Sequence, residues 1–251
     1  RLVGSEMCIR DRAKTMDRSP QSEVYEFLIN DFRQATTLLP ETQGGTSLGR
    51  ATADAAKTLL GKALLTRKNT GDIAEAKTVL TEVVNGTHAL LPSYASVFDI
   101  GNEYNNEVLF AIRYQAGGLG LGSPLPNYFA PLQSENYVVF GNGDGRNVPT
   151  ESITGAYTAG DPRKAASMAT QWVGYQGVVN NDRHIVKYNS AFTNVDDGGN
   201  DVIVTRYADA LLLLAEAINE DTGPDAQALD YLNRCLLYTS DAADEGLGLH
   251  I

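Results

Sequence analysis

Paired amphipathic helices constrain the fold of this chain more than any other sequence feature. Apolar residues recur at helical spacing in three early segments, 22–40, 52–68 and 73–84. Ser22 and Thr52 are candidate N-caps, and Asn85-Gly86 supplies a stop after the third segment. The turn "NTGD" joins the last two segments, which predicts an antiparallel helical hairpin of the tetratricopeptide type. The first segment is predicted to bury one face, made of Val24, Phe27, Leu28, Phe32, Ala35, Leu38 and Leu39.

A second helical pair is predicted near the end of the chain. "DVIVTRYADALLLLAEAINE" carries an apolar helical face made of Tyr207, Leu211, Leu214, Ala215 and Ile218. "GPDAQALDYLNR" follows it, with Pro224 at a first-turn position. A single hairpin cannot bury its apolar faces alone. The helical regions, about 22–86 and 202–234, are therefore expected to stack on one another.

The middle of the chain, about 92–200, has a different composition. Glycine, proline and asparagine are dense, as in "GGLGLGSPLPN", and only "EVLFAIRY" has the pattern of a strand. Fourteen of the aromatic residues lie between Tyr94 and Phe192. Long loops on a rigid scaffold are common places for binding sites. The predicted fold class is therefore mainly α: a tetratricopeptide-like α–α superhelix with a long loop-rich, aromatic-rich insertion.

Charge and motif content exclude several classes of function. The formal net charge of −11 argues against nucleic acid as a partner, because phosphate backbones need clustered Lys and Arg. His88 and His184 belong to no zinc motif. The stretch that begins with "NVDDGGND" at Asn194 departs from a calcium loop, because its fifth position is glycine and its twelfth is Thr205. No G-x-S-x-G nucleophile motif is present. The sequence therefore predicts no catalytic residue, no metal site and no cofactor.

Aromatic side chains in the insertion suggest a binding chemistry instead. Sugar rings present apolar C–H faces that stack on Trp and Tyr, while polar side chains bind their hydroxyls. In "QWVGYQG" the aromatic residues lie beside glycines, as an exposed platform requires. The competing interpretation is that these aromatics pack the loops onto the helices. The candidate ligand-binding residues are Tyr128, Tyr137, Asn142, Arg146, Trp172 and Tyr175.

Both ends of the chain have an unusual sequence. "RLVGSEMCIRDR" (1–12) and the stretch from "CLLYTSDAADE" to the last residue (235–251) resemble translated sequencing adaptors. The genuine domain is therefore expected to cover about 13–234 and to be truncated at both ends. Cys8 and Cys235, the chain's two cysteines, then lie outside it; otherwise they form a free thiol pair or a terminal disulfide.

Six segments, in order, resemble the SusD/RagB family of Bacteroidota outer-membrane lipoproteins. They are "VYEFLINDFRQATTLLP", "GRATADAAKTLLGKALL", "AKTVLTEVVNGTHALLPSYASVFD", "NEVLFAIRY", "ITGAYTAGDPR" and "DVIVTRYADALLLLAEAINE" with its "ALDYLNR" continuation. The fifth carries the family's Tyr and Asp-x-Arg step at Tyr157, Asp161 and Arg163. Together the six segments span nearly all of 22–234.

The resemblance implies a function. Family membership implies non-catalytic capture of a glycan, or another oligomeric nutrient, for a TonB-dependent SusC-like transporter. It also implies a cell-surface lipoprotein of the outer membrane, attached only through a lipid anchor that would precede this fragment. Two alternatives stay open: a tetratricopeptide-type protein-interaction module, and a glycoside-active enzyme for which the sequence nominates no acid pair.

Overall fold

The structure, a computed structural model, describes residues 17–236 of the chain. Its α-helices are α1 (Gln21–Leu38), α2 (Ala53–Arg67), α3 (Asp72–Val84), α4 (Leu125–Phe129), α5 (Glu151–Ala156), α6 (Pro162–Ser167), α7 (Tyr207–Thr222) and α8 (Ala226–Leu236). Its strands are β1 (Val108–Ile112), β2 (Met168–Ala169), β3 (Trp172–Val173), β4 (Val179–Asn180), β5 (His184–Ile185) and β6 (Val202–Arg206). The strands pair antiparallel as β1–β6, β2–β5 and β3–β4.

The long helices form a continuous stack. In it α1 packs on α2, α2 on α3, α3 on α7, and α7 on α8. The core between them is apolar and includes Leu60, Leu64, Leu80, Val83, Leu211 and Leu214. Burying a leucine side chain stabilises a fold by about 1.5–3 kcal/mol, so this core is the main support of the stack. The predicted mainly α fold of stacked helical hairpins is confirmed.

Helix α2 is buried on several sides because α1, α3 and α7 all pack against it. Thr52 caps its first turn by accepting a hydrogen bond from the Ala55 N–H at 3.3 Å, as the sequence predicts. Lys68 ends it in the left-handed conformation, with φ of 54°. The alanines of "ADAAKTLLGKALL" leave room for close neighbours, since α1 packs against this helix as well as α3.

Helix α1 differs from its sequence-based prediction. Pro20, rather than Ser22, occupies its N-cap position, and no side chain caps it. Val24, Phe27 and Leu38 are exposed, while Ile29, absent from the predicted face, is fully buried. The face that packs on the helical core is centred on Ile29 and includes Tyr25, Leu28 and Phe32.

The last helical pair also begins later than predicted. The predicted helical region starts at 202, but Val202–Arg206 is strand β6 and α7 begins at Tyr207. The β-branched run "VIVT" favours an extended backbone, and β1 is available to pair with it. The Tyr207 hydroxyl then donates to the Val84 carbonyl at 2.9 Å, which ties α7 to the end of α3.

Strands β1 and β6 close the base of the insertion. The predicted strand in "EVLFAIRY" is confirmed as β1, whose Val108 lies opposite Arg206 and whose Ile112 lies opposite Val202. The insertion thus leaves and rejoins the helical stack through one antiparallel pair. This arrangement holds a region without long helices against a rigid scaffold.

The described residues reach two positions into the C-terminal stretch that resembles an adaptor. Cys235 and Leu236 complete α8, and Cys235 packs against the helical core as a free thiol. Burial raises the pKa of this thiol to about 11. Residues 1–16, with Cys8, and residues 237–251 lie outside the described part of the chain.

Candidate functional site

Trp172 stands on a short hairpin within the insertion. Strands β3 and β4 pair Trp172 with Asn180 and Val173 with Val179, and a turn at Tyr175–Gly177 joins them. The hairpin brings Asp182 back to the tryptophan, whose Nε1–H donates to the Asp182 carboxylate at 2.9 Å. A charge-assisted hydrogen bond of this kind fixes the orientation of the indole ring.

The backbone of Gly174 lies close to the Trp172 ring. A Cβ at this position would lie 3.0 Å from Cζ3 of Trp172 and 3.0 Å from Nδ2 of Asn180. Such contacts are tighter than side chains normally allow, so the glycine lets the indole rest directly on the backbone. The ring of Trp172 is therefore held by Gly174 on one side and by Asp182 at its nitrogen.

Tyr137 contacts the half-buried Trp172 ring, and Tyr175 lies three residues further along the same hairpin. The Tyr137 ring lies 6.3 Å from the Trp172 ring between centroids, tilted by 34°. Tyr137 is 45% exposed and Tyr175, at the hairpin turn, is 69% exposed. We call Tyr137, Trp172 and Tyr175 the aromatic surface. Large aromatic side chains left open to water in this way are typical of binding sites.

Tyr128 and Arg146 form a separate contact at the base of the same loop. The Arg146 guanidinium carbon lies 3.9 Å from the centre of the Tyr128 ring. The same guanidinium binds Asp144 at 2.7 Å. One face of Tyr128 is therefore covered by Arg146, and the arginine is the more exposed partner of the two.

Asn142 orders the loop that carries Tyr137. Its side-chain oxygen accepts hydrogen bonds from the backbone N–H of Glu135 at 3.2 Å and of Gly143 at 3.1 Å. A Cβ on Gly143 would lie 2.1 Å from the Pro131 carbonyl oxygen, so only glycine lets the chain at 143 approach the chain at 131 this closely. Asn142 thus supports the turn that precedes Tyr137.

Asn127 is the buried centre of these loops. Its amide nitrogen donates to the carbonyls of Phe140 at 2.9 Å and Asn142 at 3.0 Å. Its amide oxygen accepts from the Asp196 N–H at 3.0 Å. A buried amide satisfied in this way fixes three chain segments relative to one another.

The acidic turn "NVDDGGND" (194–201) makes hydrogen bonds with the backbone of a neighbouring loop. The Asp197 carboxylate accepts hydrogen bonds from the N–H groups of Gly117 at 2.9 Å and Gly118 at 2.8 Å. These bonds, with one from Asn194, hold the pKa of Asp197 below its ordinary value. Among residues 17–236 no cluster of His, Cys, Asp or Glu has the arrangement of a metal site.

A polar depression is lined in part by the residues that flank Trp172 and Asp182 in the chain. It has a volume of about 360 Å³ and is lined by Glu151, Thr154, Gly155, Thr170, Gln171, Asn181 and Arg183. The Gln171 amide donates to the Asn181 side-chain oxygen at 2.7 Å, and Arg183 binds Glu151 at 3.3 Å. The depression therefore offers amide and hydroxyl groups from residues that neighbour Trp172 and Asp182 in the chain.

The six residues predicted as ligand contacts fall into three groups. Trp172 and Tyr137 are in contact, and Tyr175 lies on the same hairpin as Trp172; Tyr128 and Arg146 contact each other; Asn142 holds the loop between the groups. Sequence reasoning missed Asp182, Gln171 and Asn181. The glycines on either side of Tyr175 are typical of a hairpin turn, and that hairpin alone would have placed Asp182 beside the tryptophan.

Stacked helical pairs that carry a long, pinned insertion with an exposed aromatic surface define a class: a helical-repeat protein with its candidate ligand face on the insertion. A family model described as the SusD family matches residues 94–235, more than half of the chain. The chain therefore belongs to the SusD family.

Individual relatives agree with this assignment. SusD-like protein P2 from Formosa agariphila is 30% identical over 241 residues, covering 87% of this chain and 47% of that protein. Surface glycan-binding protein A from Bacteroides thetaiotaomicron, in complex with laminarihexaose, has a TM-score of 0.75 at 19% identity over 89% of this chain and 55% of that one. A laminarin binding SusD-like protein has a TM-score of 0.71 at 23% identity over 88% and 54%. The two solved structures establish the likeness of fold.

The chain spans about half the length of the curated relatives that it matches. None of the helices within residues 17–236 has both the length and the apolar character needed to cross a membrane.

Proposed function

We propose that this chain captures a glycan without chemically changing it. The observation that carries the proposal is the aromatic surface, where Trp172 is fixed by Asp182 and contacts Tyr137. Sugar rings stack on such faces through their C–H groups, while neighbouring amides and carboxylates bind the hydroxyls. The two similar structures are named for binding glycan, which favours the same ligand class here.

The carboxylates around this surface support binding rather than hydrolysis. Hydrolysis of a glycosidic bond requires a pair of carboxyl groups that face the bond from two sides. Here Asp144 binds Arg146, Glu151 binds Arg183, and Asp182 binds the Trp172 indole. Each of these three acids therefore has a positioning partner, and the aromatic rings offer the open contact area.

Membership of the family supports a place and a partner for the capture. We propose that the protein acts at the cell surface as a lipoprotein of the outer membrane and delivers its glycan to a TonB-dependent SusC-like transporter. A rigid helical stack with the ligand face confined to one insertion suits this role, because the helices remain free to contact the transporter. Co-purification of the two proteins from native membranes would test the partnership.

Affinity electrophoresis through gels that contain neutral or charged polysaccharides tests glycan capture. The protein is expected to migrate more slowly in at least one glycan gel, with no new reducing ends after overnight incubation. Unchanged migration in every gel would contradict glycan capture and favour the protein-interaction alternative. Release of new reducing ends would favour an enzyme instead.

A further inference from the structure

Two arginines lie in the segments that carry the aromatic surface, and each already binds a carboxylate. Arg146, in the same loop as Tyr137, lies 2.7 Å from Asp144. Arg183, next to Asp182 in the chain, lies 3.3 Å from Glu151. A sulfate or carboxylate on a ligand would have to compete with these acids for the guanidinium groups.

One acid, by contrast, contacts the aromatic surface directly, and a second lies close to it in the chain. The Asp182 carboxylate is 2.9 Å from Nε1 of Trp172, and Glu135 belongs to the same short turn as Tyr137. An anionic sugar stacked over Trp172 would approach the charge of Asp182, and like charges repel at this range. The wider electrostatic field has the same sign, since the chain carries a formal net charge of −11.

Uncharged hydrogen-bonding groups complete the surroundings. Gln171 and Asn181 bind each other through one amide N–H and one amide oxygen. Both residues line the polar depression, and their mutual bond does not use Oε1 of Gln171 or Nδ2 of Asn181. An amide acceptor and an amide donor in one depression match the hydroxyl groups of a neutral sugar.

We infer that the aromatic surface selects uncharged glycans and rejects sulfated or carboxylated ones, with Asp182 beside the indole and Glu151 on Arg183 as the residues that set this preference. The inference rests on the proposed function and names the ligand class of that same site. The acids serve two purposes: they position Arg183 and the indole, and they repel an anionic ligand.

Matched pairs of polysaccharides test this preference. Binding of the full chain is measured by affinity electrophoresis with a neutral glucan, galactan and mannan, and with the sulfated derivative of each. A methylated derivative of equal substitution controls for size. The neutral and methylated forms of at least one backbone are expected to bind about tenfold more tightly than its sulfated form at low salt. Added salt should narrow the gap, because it screens the repulsion.

Two results would overturn the inference in different ways. Equal or tighter binding of the sulfated form, abolished by Trp172→Ala, would keep glycan capture and reject charge selection. Failure of every backbone and derivative to bind would reject glycan capture itself, and the inference with it.

Charge-removing variants assign the preference to named residues. Glu151→Gln frees Arg183 from its acid and is expected to tighten binding of the sulfated form about threefold or more. Glu82→Gln removes one exposed carboxylate that binds Lys57 on the helical stack, and so matches the change in net charge at a distance. Equal effects of the two variants would show that net charge, rather than the acids of this site, sets the preference.

Discussion

Glu107 and Arg206 form an ion pair at the point where the insertion leaves the helical stack and returns to it. The two residues are 99 positions apart in the chain, and the Glu107 side chain is fully buried. The Glu107 carboxylate also accepts the Leu91 N–H at 2.9 Å. One buried acid therefore joins the start of the insertion, its end and the segment that follows α3.

Removing Arg206 should destabilise the whole chain. Arg206→Ala leaves the Glu107 charge buried without its partner, and breaking a buried ion pair costs about 3–5 kcal/mol. Urea unfolding followed by circular dichroism measures this loss. Lys77→Ala breaks the exposed pair between Lys77 and Asp221 and should cost less than about 1 kcal/mol. Similar losses in the two variants would contradict the structural role of the buried pair.

Removing the buried amide of Asn127 should loosen the loop that holds Tyr137. Asn127→Ala removes three part-buried hydrogen bonds, to the carbonyls of Phe140 and Asn142 and from the Asp196 N–H, and each is worth about 0.5–1.5 kcal/mol. Amide hydrogen exchange over 140–146 should become faster. In the control, Asn106→Ala, one exposed hydrogen bond to the Thr87 carbonyl is lost, and exchange over 140–146 should not change.

Stability should decline in acid in part because of Asp72. Hydrogen bonds from Arg67, together with the Asn69 N–H, hold the pKa of the buried Asp72 carboxyl below its ordinary value of 3.8. The contribution of the ionised Asp72 to stability is therefore complete above pH 3.8 and disappears as the pH falls through the lower pKa that Asp72 has in the folded protein. Asp72→Asn should be less stable than the parent at neutral pH and show a flatter loss of unfolding free energy between roughly pH 5 and pH 1. Parallel curves for the two proteins would contradict this origin.

Filling the space at Gly174 should weaken ligand binding while the fold persists. The Cβ of Gly174→Ala would press on the Trp172 ring and on Asn180, so the ring must shift from its position beside Asp182. We expect about three- to tenfold weaker glycan binding, which corresponds to about 0.7–1.4 kcal/mol. Gly44→Ala, whose Cβ would meet open space, is the matched control. Unchanged affinity in Gly174→Ala would show that the ring position does not matter.

The helical scaffold is largely predictable from sequence because its signals are local. Thr52 caps α2 through a residue three positions away, and the apolar period of α3 and α7 extends over several turns. The errors arise where a distant partner decides. Val202–Arg206 continues smoothly into a helical pattern, but β1, almost 100 residues earlier, draws it into a strand.

The site was only partly predictable for the same reason. Glycines beside Trp172 indicated an exposed platform, yet the contact with Tyr137 depends on a loop pinned by the buried Asn127. The partners of the rings were not predicted either: Arg146 covers Tyr128, and Asp182 binds Trp172 across a hairpin turn whose glycines were interpreted only as an exposed platform. Composition indicated the insertion as the candidate ligand face, and tertiary packing decides which side chains meet there.

The fluorescence of Trp172 tests the central claim most directly, because Trp172 is the chain's single tryptophan. The protein is titrated with the polysaccharide that retards it most in affinity electrophoresis, with calorimetry in parallel. If the glycan binds on the Trp172 ring, the emission changes saturably and follows the calorimetric curve. Calorimetric binding should be at least about tenfold weaker in Trp172→Ala. It should not weaken in the control Phe27→Ala, which removes an exposed aromatic ring from α1. Calorimetric binding with constant Trp172 emission and unchanged affinity in Trp172→Ala would place the ligand elsewhere and contradict the account.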